Sequence, residues 1–166
     1  MVNRSRMPVS TDQFKAGLSA FAAGVTIVTT LDPSGKPAGL TVTAFSALSK
    51  APPLCLVCIG HEADAYPSLR AASTYAVNLL ASEQHDLAVQ FATHGSDKFA
   101  GVDHRPGPRT GCPLLAGAIA SLECTIVSRF PSGDHDIIVG SVEGVENHTG
   151  EPLVYFRGRF HGLGAL

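Results

Sequence analysis

The sequence has few charged residues and no excess of either sign. Lysine, arginine, aspartate and glutamate make up 16% of the 166 residues, against about 25% in an average globular protein, and the formal net charge is −2. Without a basic stripe the chain lacks the electrostatic footprint of a nucleic-acid-binding protein, so we expect no nucleic-acid partner. So few charges also leave part of the surface without polar cover, which predicts a buried interface with a partner.

The chain also lacks a long hydrophobic run. The longest stretch without a charged residue is residues 16–31, which is too short to span a membrane and contains glycine, serine and threonine. Arg4 and Arg6 near the N-terminus are not followed by the apolar segment of a signal peptide. We therefore expect no membrane association, a cytoplasmic location and four cysteines that stay reduced.

Familiar nucleotide and metal motifs are missing as well. No Gly-x-Gly-x-x-Gly follows a predicted strand, so a dinucleotide would not bind in the Rossmann manner. The Cys55-Leu56-Val57-Cys58 pair lies in a predicted strand, where positions i and i+3 face opposite ways, so we interpret these thiols as buried packing. The segment from His61 to Ala65 has alanine where a zincin has its second histidine. We predict no metal site.

The residue pattern predicts a flexible tail over residues 1–9 and one domain over residues 10–163. Ser10 and Gln13 have the spacing of a capping box, and the helix that they start should end at Gly24. The apolar stripe of this helix is Phe14, Leu18, Phe21 and Ala22. Two further helices are predicted at residues 64–73 and 82–93, and a loop at residues 94–113.

The remaining segments are predicted to be strands. They cover residues 25–31, 37–49, 54–59, 75–80, 118–129, 135–146 and 153–161. The nearly all-apolar segment 54–59 should be buried on both faces. Because most strands follow one another through turns, the sheet should be mainly antiparallel. Six or more strands with a few helices favour a closed or partly closed barrel, since closure removes exposed edges.

Two segments carry side chains that suit a ligand. In Gly133-Asp134-His135-Asp136, His135 stands where a turn enters an apolar strand. It is either an ordinary turn residue or a donor of a proton or hydrogen bond to a ligand. Thr41 and Thr43 share one face of a predicted strand, and they either face water or hold phosphate oxygens.

Taken together, these segments resemble the flavin reductase-like family. That family has an FMN-binding antiparallel split β-barrel of Greek-key type and forms homodimers. The matching pieces run in the family's order over residues 10–162, and they are residues 21–30, 39–49, 52–54, 76–80, 97–99, 133–135 and 155–160. The resemblance implies a mainly β chain with a few helices folded as such a split barrel.

The resemblance also implies a set of binding residues. The flavin ring edge and ribityl chain would contact Thr41, Val42, Thr43, Ala44 and Ser46. The flavin tail and phosphate would be bordered by Cys58, Ile59, Gly60, His61 and Ala63, with Asn78 and Phe99 as further flavin neighbours. The nicotinamide would lie near His135, which is the catalytic candidate, and near Tyr155, Phe156, Arg157 and Gly158.

The activity that the resemblance implies is that of an NAD(P)H:flavin oxidoreductase. Such an enzyme passes hydride from NADH or NADPH to FMN or FAD, and the reduced flavin diffuses to a separate oxygenase. The chain has Gly60-His61-Glu62 where many relatives carry a basic or hydroxyl residue, so FMN and FAD both stay open. One alternative is a flavoprotein that keeps FMN tightly bound and reduces another acceptor. The other is a flavin-binding dimer that is not an enzyme.

Overall fold

The computed structural model describes residues 9–163, and this part of the chain is mainly β with three short helices, as predicted. The helices are α1 (Thr11–Leu18), α2 (Tyr66–Ala71) and α3 (His85–Ala92), and a 3₁₀ turn at Ser82–Gln84 leads into α3. None of these helices is long and apolar enough to cross a membrane. The tail predicted for residues 1–9 lies, except for Val9, outside the described residues.

Within the described range the strands form three sheets, and every strand pairing is antiparallel, as predicted. The strands are β1 (Ala23–Gly24), β2 (Thr26–Leu31), β3 (Pro37–Val42), β4 (Phe45–Lys50), β5 (Pro53–Gly60), β6 (Thr74–Leu79), β7 (His104–Pro106), β8 (Pro113–Leu115), β9 (Ala120–Ser132), β10 (His135–Asn147), β11 (Leu153–Phe156) and β12 (Arg159–Gly162). The large sheet has the order β3-β2-β6-β9-β10-β5-β4, and the small sheets are β1-β11-β12 and β7-β8.

The two edges of the large sheet are joined by only two residues. Strands β3 and β4 lie at opposite edges, yet only Thr43 and Ala44 connect Val42 to Phe45. Three residue steps span at most about 11 Å, so the edges must converge here and the sheet must curl. Hydrogen bonds do not pair β3 with β4 in this part of the chain. Closure into a split barrel therefore stays a prediction.

The two larger apolar clusters of the core lie on either side of β2. Val28 packs into the larger cluster together with Ile59 of β5 and Leu69 of α2. Its neighbour Ile27 points to the other face, where it packs against Phe91 of α3. Because successive side chains alternate across a strand, a strand covered on both faces needs an apolar or hydroxyl residue at every position. This explains the unbroken β-branched run in β2.

Two long strands predicted from the sequence are each divided in the structure. The segment 37–49 breaks at Thr43 and Ala44, where the chain crosses from one sheet edge to the other. The segment 153–161 is a hairpin, because Arg157 and Gly158 both adopt positive φ, at 49° and 77°. A tertiary connection decides the first break, where the sequence has no proline or glycine. The second break is a local two-residue turn, and Gly158 is its one sequence signal.

The predictions for the helices and the long loop need smaller corrections. The capping box of Ser10 and Gln13 is confirmed, but α1 ends at Leu18 instead of Gly24. The helix predicted from residue 82 begins as the 3₁₀ turn. The loop predicted at residues 94–113 contains β7, which pairs with β8.

One face of β5 is less buried than the sequence predicts. Cys55, Val57 and Ile59 are buried, whereas Leu56 and Cys58 on the other face are only half-buried. The prediction that this apolar strand is buried on both faces is therefore wrong. The second face of β5 borders the cavity described below, and its apolar side chains line that cavity.

Asn78 in β6 is a buried polar side chain with partners on three strands. Its amide nitrogen donates to the carbonyl of Ile27 in β2 at 3.2 Å. Its amide oxygen accepts from the backbone N–H of Leu115 at 3.0 Å and from the hydroxyl of Ser121 at 2.9 Å. A buried amide needs such partners to offset its loss of water. The side chain thereby ties β2, β8 and β9 to β6.

Replacing Asn78 by alanine should lower the free energy of unfolding by about 3 kcal/mol, because buried donors on Leu115 and Ser121 lose their acceptor. Urea unfolding followed by circular dichroism measures the change. Asn147→Ala, at the exposed end of β10, is the matched control and should change stability by less than about 0.5 kcal/mol. Equal effects of the two substitutions would contradict the bracing role of Asn78.

Candidate functional site

A cavity of about 720 Å³ opens beside the link between the two sheet edges. Its sheet-side wall contains Thr43 and Ala44 of that link, Ser46 of β4, and Leu56 and Cys58 of β5. Most of these side chains are small, so a flat molecule can approach the strands closely. The volume lies within the range of about 300–1,000 Å³ that is usual for ligand pockets.

The opposite wall comes from α1 and from the β11–β12 hairpin. Leu18 and Phe21 contribute apolar surface from the end of α1 and the turn after it, and Tyr155 and Gly158 contribute from the hairpin. Among residues 9–163, Lys15 is the only charged residue that lines the cavity. The cavity is thus apolar with a single cation, which suits a large aromatic ligand that carries negative charge.

The structure brings six of the predicted site residues together in this cavity. They are Thr43, Ala44, Ser46, Cys58, Tyr155 and Gly158. Thr41 and Ala63 line a separate depression of about 230 Å³ beside α3. The hydroxyl of Thr41 donates to the carbonyl of Ala88 at 2.6 Å. The shared face predicted for Thr41 and Thr43 does not bring them together, because β3 ends between them.

Four predicted flavin neighbours have side chains that face the core. Val42 is 5% exposed, and Ile59 and Asn78 have no exposed surface. Phe99 packs its ring against the rings of Phe91 and His104, with centroids 5.1 and 5.0 Å apart. These side chains stabilise the walls around the site, and the structure does not place them in the cavity.

His135 lies on the same sheet face as the cavity. The strand register pairs it with Gly60, and a Cβ atom added to Gly60 would lie 3.4 Å from His135 Nε2. Gly60 and Cys58 are two positions apart in β5, so both face the same way. The imidazole therefore lies over Gly60, two residues along β5 from Cys58 in the cavity wall.

The second ring nitrogen of His135 has a carboxylate partner. His135 Nδ1 lies 2.7 Å from Asp134 Oδ1, and this contact lowers the pKa of Asp134. An ionised carboxylate accepts only, so Nδ1 carries the proton and donates it. Nε2 is then the atom that His135 presents to a ligand, and its side chain is 48% exposed.

A buried carboxylate lies next to His135 on the opposite face of β10. Asp136 accepts hydrogen bonds from His61 Nε2 and from the hydroxyl of Tyr66, both at 2.9 Å. The hydrogen bond from His61 is the main cause of the lowered pKa of Asp136. Burial and the Asp136 carboxylate raise the pKa of Tyr66. His61 and Tyr66 therefore contact Asp136 and do not line the cavity.

The remaining predicted nicotinamide residues fix the β11–β12 hairpin. The guanidinium of Arg157 lies over the ring of Phe156, 5.4 Å from its centroid. The backbone N–H of Arg157 donates to the carbonyl of Ser19 at 2.8 Å. This bond ties the hairpin tip to the end of α1 and so joins the two parts of the outer wall.

The sequence analysis did not predict several of the residues that line the cavity, although the apolar stripe of α1 could have indicated some of them. They are Lys15, Leu18, Ser19, Phe21, Ala23, Phe45 and Leu56. The apolar stripe of α1 was evident in the sequence, but it was not assigned to a ligand site. In the structure α1 buries none of its residues, and Phe14 and Leu18 are each 57% exposed.

A contact between two buried thiols was also missed. The sulfur atoms of Cys55 and Cys124 are 3.5 Å apart, and the hydroxyl of Tyr75 is 3.5 Å from Cys55 Sγ. Gly140 of β10 lies between them, where an added Cβ would be 2.5 Å from that hydroxyl. Because β10 separates β5 from β9, their backbones are about 9–10 Å apart. A disulfide needs Cα atoms about 4.4–6.8 Å apart, so these thiols pack without bonding.

Comparison with known proteins assigns the chain to a family. Residues 18–164 match the flavin reductase like domain. The chain therefore belongs to the flavin reductase-like family, as its resemblance implied. The matched range includes the link between the sheet edges, His135 and the cavity-lining residues other than Lys15.

Individual relatives agree with this assignment. The chain is 42% identical over 141 residues to a probable flavin reductase of Rhizobium meliloti (strain 1021), with 85% of this chain and 45% of that protein covered. It is 40% identical over 156 residues to the reductase component of a Rhodococcus opacus 4-nitrophenol 4-monooxygenase/4-nitrocatechol 2-monooxygenase, with 92% and 81% covered. The chain thus spans less than half of the first relative but most of the second.

A solved structure shows the same fold. It is the NADH:FAD oxidoreductase SgcE6 of Streptomyces globisporus C-1027, in complex with NAD and FAD fragments. The two chains superpose with a TM-score of 0.89 at 35% identity, and 98% of each chain is covered.

Alkylation should separate Cys58 from the other thiols. Cys55, Cys112 and Cys124 are buried, whereas Cys58 is half-buried at the cavity. A small maleimide should therefore modify Cys58 first, and saturating FMN should slow that reaction at least about tenfold by covering the thiol. Mass spectrometry of peptides measures the sites. Cys58→Ser is the control and should abolish the fast reaction, and equal rates with and without FMN would place the flavin elsewhere.

Proposed function

We propose that this chain is an NAD(P)H:flavin oxidoreductase that transfers hydride from NADH to FMN or FAD and supplies reduced flavin to a partner monooxygenase. The observation that carries the proposal is the apolar cavity of ligand size with His135 on the same sheet face. Relatives named as reductase components of monooxygenases support the partner. A cytoplasmic location stays a prediction.

The residues of the cavity fit a flavin. The small side chains of Ala44, Ser46 and Gly158 leave room for a planar ring, and Thr43 offers a hydroxyl. Phe21 and Tyr155 provide apolar cover that keeps water from the ring. Lys15 supplies one positive charge for an anionic tail. FMN and FAD both satisfy these features.

The protein's part in the reaction is to bind, orient and exclude water. The flavin, when bound, supplies the electronic chemistry of hydride acceptance. His135 holds the nicotinamide carboxamide through Nε2, while Asp134 fixes the ring through Nδ1. This role requires no nucleophile and no metal ligand, and it makes a misplaced imidazole costly because hydride transfer depends on close alignment.

An open cavity favours flavin as a substrate over flavin as a permanent group. The cavity opens to solvent, and its lining offers one charge and few hydrogen-bond donors. Affinity for a highly charged flavin tail should therefore be modest, which permits release of the reduced product. Tight, stoichiometric flavin after purification would favour the alternative in which FMN stays bound.

We also infer that two copies of the chain form a homodimer. Phe14, Leu18 and Phe21 are 57%, 57% and 75% exposed, and α1 buries no residue in the single chain. Two of these three residues line the cavity. A second copy would cover this apolar surface and complete the wall, and a two-fold contact is the simplest closed arrangement.

Light scattering at micromolar concentration should give twice the 17.2 kDa mass of the chain. Phe14→Glu should shift the protein toward the monomer, because a charge would be buried in the contact. Gln13→Glu adds the same charge to α1 and preserves the capping box, so it should leave the dimer intact. A monomeric wild-type protein would contradict the inference.

The activity is tested by following NADH absorbance under anaerobic conditions with and without added FMN. Consumption of NADH should scale with free FMN, because flavin is a substrate. His135→Ala should lower kcat/KM for NADH by about tenfold, the effect of one lost hydrogen bond to the ligand, with KM for FMN unchanged.

Two outcomes would overturn these expectations. No consumption with either NADH or NADPH, and with either FMN or FAD, would remove the reductase proposal and favour a flavin-binding dimer. Unchanged kinetics of His135→Ala for both substrates would leave His135 as an ordinary turn residue.

A further inference from the structure

We propose that Asp136, together with His61 and Tyr66, positions His135 for the nicotinamide. The three residues do not touch the cavity, so they act through the backbone of β10. The inference rests on the proposed function, in which His135 contacts the electron donor. It assigns a role to the hydrogen bonds around a buried carboxylate, which the reaction itself does not use.

The network holds Asp136 at both carboxylate oxygens. Oδ1 accepts from His61 Nε2 and Oδ2 accepts from the hydroxyl of Tyr66, each at 2.9 Å. The Asp136 side chain is only 8% exposed. The rings of His61 and Tyr66 also pack together, with centroids 4.8 Å apart. A buried carboxylate with two donors from separate elements has one low-energy position.

The backbone transmits this position to His135. Successive residues of a strand face opposite ways, so the inward anchor at Asp136 sets the outward direction of its neighbour. The backbone N–H of His61 donates to the carbonyl of Asp134 at 2.9 Å, which fixes the other side of His135. Residues 134–136 are thus held at both ends by the segment that follows β5.

The side-chain rotations of His135 remain after the backbone is fixed, and the contact with Asp134 restricts them. The contact between His135 Nδ1 and Asp134 Oδ1 orients the ring, and the ring rests over Gly60. His135 is half-exposed and sits at the start of a strand after a turn, where an unanchored side chain would sample several rotamers. The hydrogen bonds of Asp136 keep the backbone rigid at this exposed position.

A double-mutant cycle separates positioning from a merely structural role. Asp136→Asn, or the milder Tyr66→Phe, should lower kcat/KM for NADH about tenfold in the wild type, the effect of losing one charge-assisted hydrogen bond, and leave KM for FMN unchanged. In the His135→Ala background the same substitutions should have no further effect. Additive losses, or unchanged NADH kinetics in both single variants, would overturn the inference.

Asp86→Asn is the matched control for this cycle. Asp86 forms another histidine–aspartate contact, with His85 at 3.0 Å, but both side chains are exposed on α3. This variant should leave NADH kinetics unchanged. Thermal unfolding of each protein identifies any variant that fails to fold. If Asp136→Asn fails to fold, the test relies on Tyr66→Phe, which removes a single hydroxyl.

Imidazole NMR of the flavin-free protein tests the positioning without turnover. The His135 signal is assigned by its loss in His135→Ala, and in the wild type it should show a protonated Nδ1 in one environment. Tyr66→Phe and Asp136→Asn should shift and broaden it by rotamer exchange. An unchanged signal would overturn the inference. If the signal responds but NADH is never oxidised, the proposed function fails, and only the anchoring of the His135 ring by Asp136 and its partners stands.

Discussion

The two-residue link between β3 and β4 is the constraint on which the rest of the structure depends. Thr43 and Ala44 join strands that occupy opposite edges of a seven-stranded sheet. The sheet must curl to let so short a link span its edges. The curl encloses one apolar cluster under α2, and it leaves an unpaired gap between the edges, beside which the cavity opens.

The elements around this gap are apolar because they face it. One side of β5 and the exposed stripe of α1 both carry hydrophobic residues that the single chain leaves half-covered. The hairpin of β11 and β12 closes the outer side through the bond between Arg157 and Ser19. The site is therefore lined by the same apolar residue types that fill the core. Only the incomplete burial of these side chains distinguishes the site from the core.

Sequence patterns that involve residues close together in the chain predicted much of this fold. The capping box of Ser10, the turns before β3 and β10, the antiparallel order and the opposite facing of Cys55 and Cys58 all follow from local spacing. Contacts across many residues were beyond the sequence: it does not reveal the core role of Asn78 or the meeting of Cys55 with Cys124. The resemblance identified Thr43, Ala44, Ser46 and Cys58, but it could not separate their exposed side chains from the buried ones beside them, because adjacent strand residues share a motif and face opposite ways.

A link of two residues cannot span a wider separation of the sheet edges. If one residue were inserted between Val42 and Phe45, the link could span a wider gap and the sheet edges could separate, while the pairing of β4 with β5 would keep Ser46 opposite Leu56. A substitution at Thr43 or Ala44 changes only one side chain. At this point of the fold the number of residues therefore matters more than their identity, and tolerance to changes in length should be low.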